Sequence, residues 1–290
     1  MALLSLEALG GRRMNVELAG EGTPILAIHG FTGSASSWDA FQEAARADHT
    51  VIRVELLGHG ASDCPDSPEP YGMTPTVRAL EGILDYLKLD RAHWLGYSLG
   101  GRIALCAAVL LPRRTRSLIA ESASPGLFSE EERVSRVRSD EALADWMEKV
   151  GIEAFVDRWE SLPIWATQSR LSVAQRRQLR RQRLSGNPRG LANSLRGIGA
   201  GAQPPLHHRL HELRAPALFV AGEEDGKFAA IAEQMNKSVP NGHLRIVKQA
   251  GHAVHLEQQG LFNRAVLDFV KAVDASPEFS RVQTGSQQSL

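Results

Sequence analysis

The sequence is poor in cysteine: among 290 residues only Cys64 and Cys106 carry a thiol. A disulfide framework or a structural zinc site needs more thiols at closer spacing, so neither is expected, and the pair suits a reducing compartment. Cys106 sits in an apolar stretch and reads as a small buried hydrophobe, while Cys64 sits in a Pro- and Asp-rich loop. Net charge is missing too. Lys plus Arg and Asp plus Glu both number 33, so no overall field draws the chain to nucleic acid or to a membrane surface. No stretch approaches the roughly 18 to 20 apolar residues that span a bilayer. The opening Met-Ala-Leu-Leu-Ser-Leu is interrupted by Glu7 and has neither a basic flank nor a small-residue cleavage site, which argues against a secretory signal. These absences predict a cytoplasmic protein without a nucleic-acid or membrane partner; they leave the oligomeric state open.

A hydrophobic share of 43% with 23% charged residues is enough to build one sizeable core. Short apolar runs rich in β-branched residues predict strands at Ile25–His29, Val51–Glu55, His93–Tyr97, Ser117–Glu121, Ala217–Ala221 and His243–Val247. Several are continuous rather than alternating, as in strands buried on both faces. A hairpin from Leu3–Leu9 and Met14–Leu18 would add antiparallel strands at one edge. Helical patterns lie between the strands, at Trp38–Ala47, Pro75–Leu87, Leu99–Leu111, Phe228–Lys237 and Leu261–Val273. Thr74 is the expected cap before Pro75. The alternation predicts an α/β fold with a mostly parallel central sheet flanked by helices.

From about Pro125 to Pro216 the strands stop. Helical patterns at Glu130–Ser139, Glu141–Val150, Ile152–Trp159, Ser172–Arg183 and Pro188–Ile198 replace them. An insertion of that size between two strands reads as a helical lid over the carboxyl edge of the sheet. The expected organisation is a core in two parts, residues 1–124 and 216–275, a lid over residues 125–215, and a tail over residues 276–290 whose composition suits disorder.

Gly96-Tyr-Ser98-Leu-Gly100 follows an apolar strand and opens a helix, the context of a G-x-S-x-G nucleophile elbow. The turn lifts the Ser98 oxygen above a helix N-terminus, whose free N–H groups and positive dipole end favour a developing anion. His29-Gly-Phe31-Thr-Gly33 follows an earlier strand, where a loop supplies a second donor, so the backbone N–H groups of Phe31 and Leu99 are the expected oxyanion hole. An acid and then a histidine should follow Ser98 along the chain. Asp225, in Gly222-Glu-Glu-Asp225-Gly-Lys after a strand, is the expected acid, with Glu223 and Glu224 as rivals. His252, in Ala250-Gly-His252 after the last strand, is the expected base, with His255 as the alternative. His252 would take a proton from Ser98 while Asp225 fixes its tautomer and stabilises its positive form. His207, His208 and His211 read as loop or surface residues, and Gly58-His59-Gly60 as a structural turn.

Arg102 stands four residues beyond Ser98, on the same helix side. A guanidinium there suits a carboxylate-bearing substrate; a helix arginine paired with a structural acid is the plainer alternative.

With these residues, the chain resembles the 2-succinyl-6-hydroxy-2,4-cyclohexadiene-1-carboxylate synthases of menaquinone biosynthesis, on an α/β-hydrolase fold. The likeness runs from about Ile25 to Val270. It rests on His29-Gly-Phe-Thr-Gly33, Leu57-Gly-His-Gly-Ala-Ser62, Gly96-Tyr-Ser-Leu-Gly-Gly-Arg-Ile-Ala104, Glu121-Ser-Ala-Ser-Pro-Gly-Leu127, Arg138-Ser-Asp140, Gly222-Glu-Glu-Asp-Gly-Lys-Phe228 and Ala250-Gly-His252. The resemblance implies a lyase that needs no cofactor or metal and uses the triad to abstract a proton. It also implies that Arg102, Arg136 and Arg183 hold carboxylates while Tyr97 and Trp159 line the pocket. Trp146, Trp159 and Trp165 would equally serve as lid core. Two other readings stand beside it: an ester or C–C bond hydrolase using the same triad, and a binding protein that keeps the fold without the chemistry. Converging arginines in the lid speak against the first, and the intact Ser98, Asp225 and His252 against the second.

Overall fold

The computed structural model describes residues 2–6 and 9–276. All of the predicted tail except Ser276 lies outside the described residues.

Eight strands form one sheet in the order β1-β2-β4-β3-β5-β6-β7-β8. They are β1 (Ala2–Leu6), β2 (Arg12–Ala19), β3 (Thr23–Ile28), β4 (His49–Val54), β5 (Ala92–Tyr97), β6 (Thr115–Glu121), β7 (Ala217–Gly222) and β8 (Gly242–Val247). The first two form the predicted hairpin, antiparallel to each other and to β4, with Leu4 opposite Met14. The other pairings are parallel. The apolar runs are continuous because both faces are covered. Leu26 and Ile28 of β3 and Trp94 of β5 pack on one side with α2 (Met73–Tyr86), α3 (Leu99–Leu110) and α7 (Gly226–Ser238). Ile25, Ala27 and Leu95 pack on the other with α1 (Asp39–Ala45) and α9 (Gln259–Ala275). Between them these two clusters seal the sheet from water, the dominant favourable contribution to folding.

Two helix boundaries differ from expectation. Helix α2 starts at Met73, preceded by Gly72 without a side-chain cap, so Thr74 lies inside its first turn and caps nothing. The three helices expected over residues 130–159 form one run, α4 (Glu130–Glu160), interrupted only at Gly151 (φ 81°, ψ 177°). The expected break near residue 140 is missing because Asp140 is buried and accepts from Arg136 one turn earlier at 2.8 Å. Ser129 caps α4 in a reciprocal pair with Glu132, and Ser172 caps α5 (Val173–Leu184) likewise with Gln175. Asn187 caps α6 (Pro188–Ile198). Helices α4 and α6 enclose a third cluster containing Met147, Phe155, Val156 and Leu191. Among the described residues no helix is long and apolar enough to cross a membrane.

The starts of the parallel strands are tied to α9 by a single carboxylate. Asp274 accepts from Thr23 Oγ1 at 2.6 Å and from Arg116 Nε, faces His93 Nε2 at 3.1 Å, and stands 3.8 Å from His49 Nε2. Burial alone would raise its pKa, but the bonds from His49, His93 and Thr23 hold it well below the usual carboxylate range. Removing one partner from so enclosed a network strands the others. Asp274→Ala should therefore lower the unfolding free energy by about 3 kcal/mol in urea titrations; an unchanged midpoint would contradict the anchoring.

Candidate active site

The loops that follow β3, β5, β7 and β8 bring the predicted residues together at the carboxyl edge of the sheet. Ser98 joins β5 to α3 with φ 50° and ψ −105°, a left-handed conformation that is costly for a residue with a Cβ. Its N–H donates to the Glu121 carbonyl at 2.8 Å. The turn closes only because its flanks are glycines: a Cβ on Gly96 would stand 2.1 Å from the Gly100 carbonyl oxygen, and one on Gly100 2.1 Å from that of Ile28.

Asp225 and His252 arrive on neighbouring loops that are zipped together. Glu223 N–H donates to Val247 O and Glu224 N–H to Ala250 O, each at 2.9 Å. Asp225 caps α7 by accepting from Phe228 N–H through Oδ1 at 3.3 Å, which leaves Oδ2 facing His252 Nδ1 at 2.6 Å. His252 Nε2 stands 3.0 Å from Ser98 Oγ. The order carboxylate, imidazole, hydroxyl is the one that moves a proton off the hydroxyl. The rivals turn elsewhere. Glu224 pairs with Arg170, Glu223 is exposed, and His255, in α8 (Val254–Glu257), directs Nδ1 to Glu121 Oε1 at 2.9 Å. His252 is only 2% exposed while Ser98 is half-buried, so the hydroxyl is the end of the chain open to a ligand.

Among the described residues neither Phe31 N–H nor Leu99 N–H has a hydrogen-bond acceptor. Leu99 N–H belongs to the first residue of α3, where the helix dipole adds to its pull on negative charge. The rings of Tyr97, Trp165 and Phe228 lie 5.5, 5.5 and 4.6 Å from that of His252. This apolar wall limits water around the imidazole. Burial, followed by the Glu121 charge, pushes the Tyr97 phenol well up, so it stays neutral.

Among the described residues Arg102 has no acid as an ion-pair partner. Its Nη1 donates to Ile198 O at 3.1 Å and Gln203 Oε1 at 3.2 Å. Burial first, then the nearby charge of Arg136, lowers its pKa to about 10 against the opposing charge of Asp140, so it remains cationic. Arg136 is half-exposed and shares Asp140. Arg183 lies buried on the other side of the site, with its guanidinium carbon 5.4 Å from the Trp165 ring centroid. It pairs with Glu160 at 3.0 Å and donates to Gln168 at 3.2 Å. Trp159 packs against Phe31 and Trp165. Arg183 Nε and the indole N–H groups of Trp159 and Trp165 are buried without partners among the described residues. A cavity of about 550 Å³, bordered by Thr167, Arg170, Glu224, Gln249 and Glu257, lies behind the His252 loop rather than over Ser98. The same side holds what sequence reasoning missed. From the sequence Trp165 reads only as lid core, and nothing in the spacing marks Phe228, Glu257 or the Glu121 side chain.

The family described as alpha/beta hydrolase fold matches residues 23–259, so the chain is an α/β-hydrolase-fold protein. A Bacillus subtilis (strain 168) protein, provisionally named 2-succinyl-6-hydroxy-2,4-cyclohexadiene-1-carboxylate synthase, is 41% identical over 86% of this chain and 90% of its own length. A Shigella flexneri (serotype 5b, strain 8401) protein of the same name is 33% identical over 80% and 88%. The solved structure of MenH from S. aureus superposes with a TM-score of 0.85 at 34% identity, covering 90% of this chain and 98% of that one. Within the α/β-hydrolase fold, the chain belongs to the 2-succinyl-6-hydroxy-2,4-cyclohexadiene-1-carboxylate synthase family.

Two histidines beneath the Phe31 loop carry no positive charge. His29 Nδ1 donates to Gly30 O at 2.7 Å while Nε2 accepts from Leu56 N–H at 3.2 Å, so the ring is neutral. His59, which occupies the expected turn and is almost wholly buried, lies with its ring tilted and 4.9 Å from that of His29. Burial pushes their pKa values down from 6.5 to about 4 and about 3. The unfolded chain therefore binds protons that the folded chain refuses, and stability falls as pH drops below 6.5. Between about pH 7.5 and 5.5 each ring should contribute a loss of about 1.4 kcal/mol. Denaturant titrations should show His59→Asn losing about 1.4 kcal/mol less than wild type over that interval; equal losses would refute the neutral assignment.

Proposed function

We propose that this chain eliminates pyruvate from 2-succinyl-5-enolpyruvyl-6-hydroxy-3-cyclohexene-1-carboxylate to give 2-succinyl-6-hydroxy-2,4-cyclohexadiene-1-carboxylate, a step of menaquinone biosynthesis in the cytoplasm. The single observation that carries the chemistry is the hydrogen-bonded line from Asp225 through His252 to Ser98, in a member of this family. Ser98, activated by His252, removes the proton from the ring carbon beside the succinyl carbonyl. Asp225 stabilises the imidazolium that forms. The carbonyl oxygen takes up negative charge and is met by the N–H groups of Phe31 and Leu99. As the carbonyl re-forms, the electron pair moves through the ring alkene and expels the enolpyruvyl oxygen from the neighbouring carbon. The enolpyruvate takes a proton at its methylene carbon and becomes pyruvate. No bond between Ser98 and the substrate is needed at any stage.

The substrate is small and carries several carboxylates. Arg102, cationic and without an ion-pair partner among the described residues, is their first anchor; Arg136 and Arg183 approach from the helical segment, and Tyr97 and Trp159 line the space between. Residues 125–215 act as a lid that carries part of the binding site. Arg183 already shares Glu160, so its role depends on that pair opening or on its unpartnered Nε.

Pyruvate release from freshly generated precursor, followed by stopped flow beside p-nitrophenyl acetate hydrolysis, tests this reading. Ser98→Ala should slow pyruvate release by about 10³-fold or more. Arg102→Ala should weaken binding by about 10-fold or more, read mainly in KM. Ester hydrolysis without pyruvate release would replace this reading with a hydrolase.

A further inference from the structure

His252 is carried by the short loop between β8 and α8, and the reach of its ring depends on where that loop holds its Cα. One carboxylate spans the point of attachment. Glu257 Oε2 accepts the N–H of Gly251 at 2.8 Å, and Glu257 Oε1 accepts that of Ala253 at 3.3 Å. These are the N–H groups of the two residues that flank His252 in the chain. Thr167 also closes on this loop: its Oγ1 would stand 2.2 Å from a Cβ on Gly251. Helix α8 is only four residues long and supplies little stiffness of its own. Glu121 secures the next turn by accepting His255 N–H at 3.0 Å, and its carbonyl holds Ser98.

We propose that Glu257 is a positioning residue for the base: its carboxylate grips the backbone N–H groups of Gly251 and Ala253, the residues on either side of His252, and so sets the 3.0 Å approach of Nε2 to Ser98 Oγ. The assignment rests on His252 serving as the base for Ser98, but not on which substrate Ser98 meets. Proton transfer requires heavy atoms within about 2.6–3.2 Å, and an ångström of misplacement costs on the order of 100-fold in rate. The observed approach therefore has little slack. In Glu257→Gln one oxygen can still accept, but the amide NH2 meets the second N–H donor to donor and releases that side of the loop.

Two rates, each measured on the intact protein, test the assignment. The first is sulfonylation of Ser98 by phenylmethanesulfonyl fluoride, followed by intact mass. In that reaction Oγ bonds to sulfur, fluoride leaves and His252 takes the proton, whatever the natural substrate. The second is kcat and KM for pyruvate release. For Glu257→Gln, sulfonylation and kcat should both fall by about 10- to 100-fold, with KM within about twofold of wild type and the thermal midpoint within about 3 °C. Glu224→Gln, which removes a carboxylate across the same cavity, should react like wild type. Should Glu257→Gln not fold, Glu257→Asp serves, because its shorter side chain keeps the charge but cannot span both N–H groups.

Wild-type sulfonylation in the Glu257 variants overturns the proposal, as does an equal loss in Glu224→Gln. A loss that tracks a fall in thermal midpoint of about 10 °C or more overturns it too, leaving a purely structural residue. If the wild-type protein is sulfonylated rapidly yet releases no pyruvate, the substrate assignment fails and Glu257 is still tested by the first rate.

Discussion

Everything at the carboxyl edge is arranged around a serine held in a backbone conformation that serine does not favour. The left-handed turn at Ser98 costs on the order of 1–3 kcal/mol and persists because its surroundings leave no alternative. The Glu121 carbonyl holds its N–H, two glycines admit the neighbouring backbone, and α3 is packed into the core through Ile103, Ala104 and Ala107 immediately beyond. The strain thus rests on a rigid helix–strand unit rather than on a loop. That is why the hydroxyl stands clear of the sheet instead of relaxing into it, and why the first N–H of the helix is left facing outward beside it.

The sheet was legible in the sequence because strands buried on both faces must be apolar throughout. All six of the predicted parallel strands appear, with ends moved by two residues at most. Ser98, Asp225 and His252 were legible for another reason: chemistry at a strand's end demands particular residues, and glycine marks the turns that present them. What escaped notice depends on contacts between segments far apart in the chain. Whether Arg102 has an acid partner is decided by Ile198 and Gln203, about a hundred residues away, a distance over which local pattern carries no information. The missing break at residue 140 fails differently, since a buried Asp140 gains a partner inside its own helix. The position of Trp165 against His252 follows from how residues 125–215 fold back on the sheet, which no periodicity records.

Side-chain chemistry alone does not define a site. At the opposite edge Ser117 Oγ stands 2.7 Å from His93 Nδ1, and His93 Nε2 stands 3.1 Å from Asp274. That line has the same three groups in the same order as Ser98, His252 and Asp225. Yet Ser117 and His93 are completely buried, and Ser117 lies within β6 rather than at the N-terminus of a helix. The trio that can receive a ligand differs from the trio that cannot in access and in the donors around the oxygen, not in its members.

The anchoring of α9 also fixes which way the molecule faces when something is attached to it. Asp274 gathers residues at the beginnings of β3, β4, β5 and β6, whereas Ser98 follows the end of β5. At about 3.3 Å per residue, a six-residue strand puts those two edges about 20 Å apart. The last described helix therefore ends on the face turned away from the nucleophile. A fusion partner or surface tether joined at the end of α9 begins its path there, with Ser98 and the carboxyl edge of the sheet directed away from the attachment.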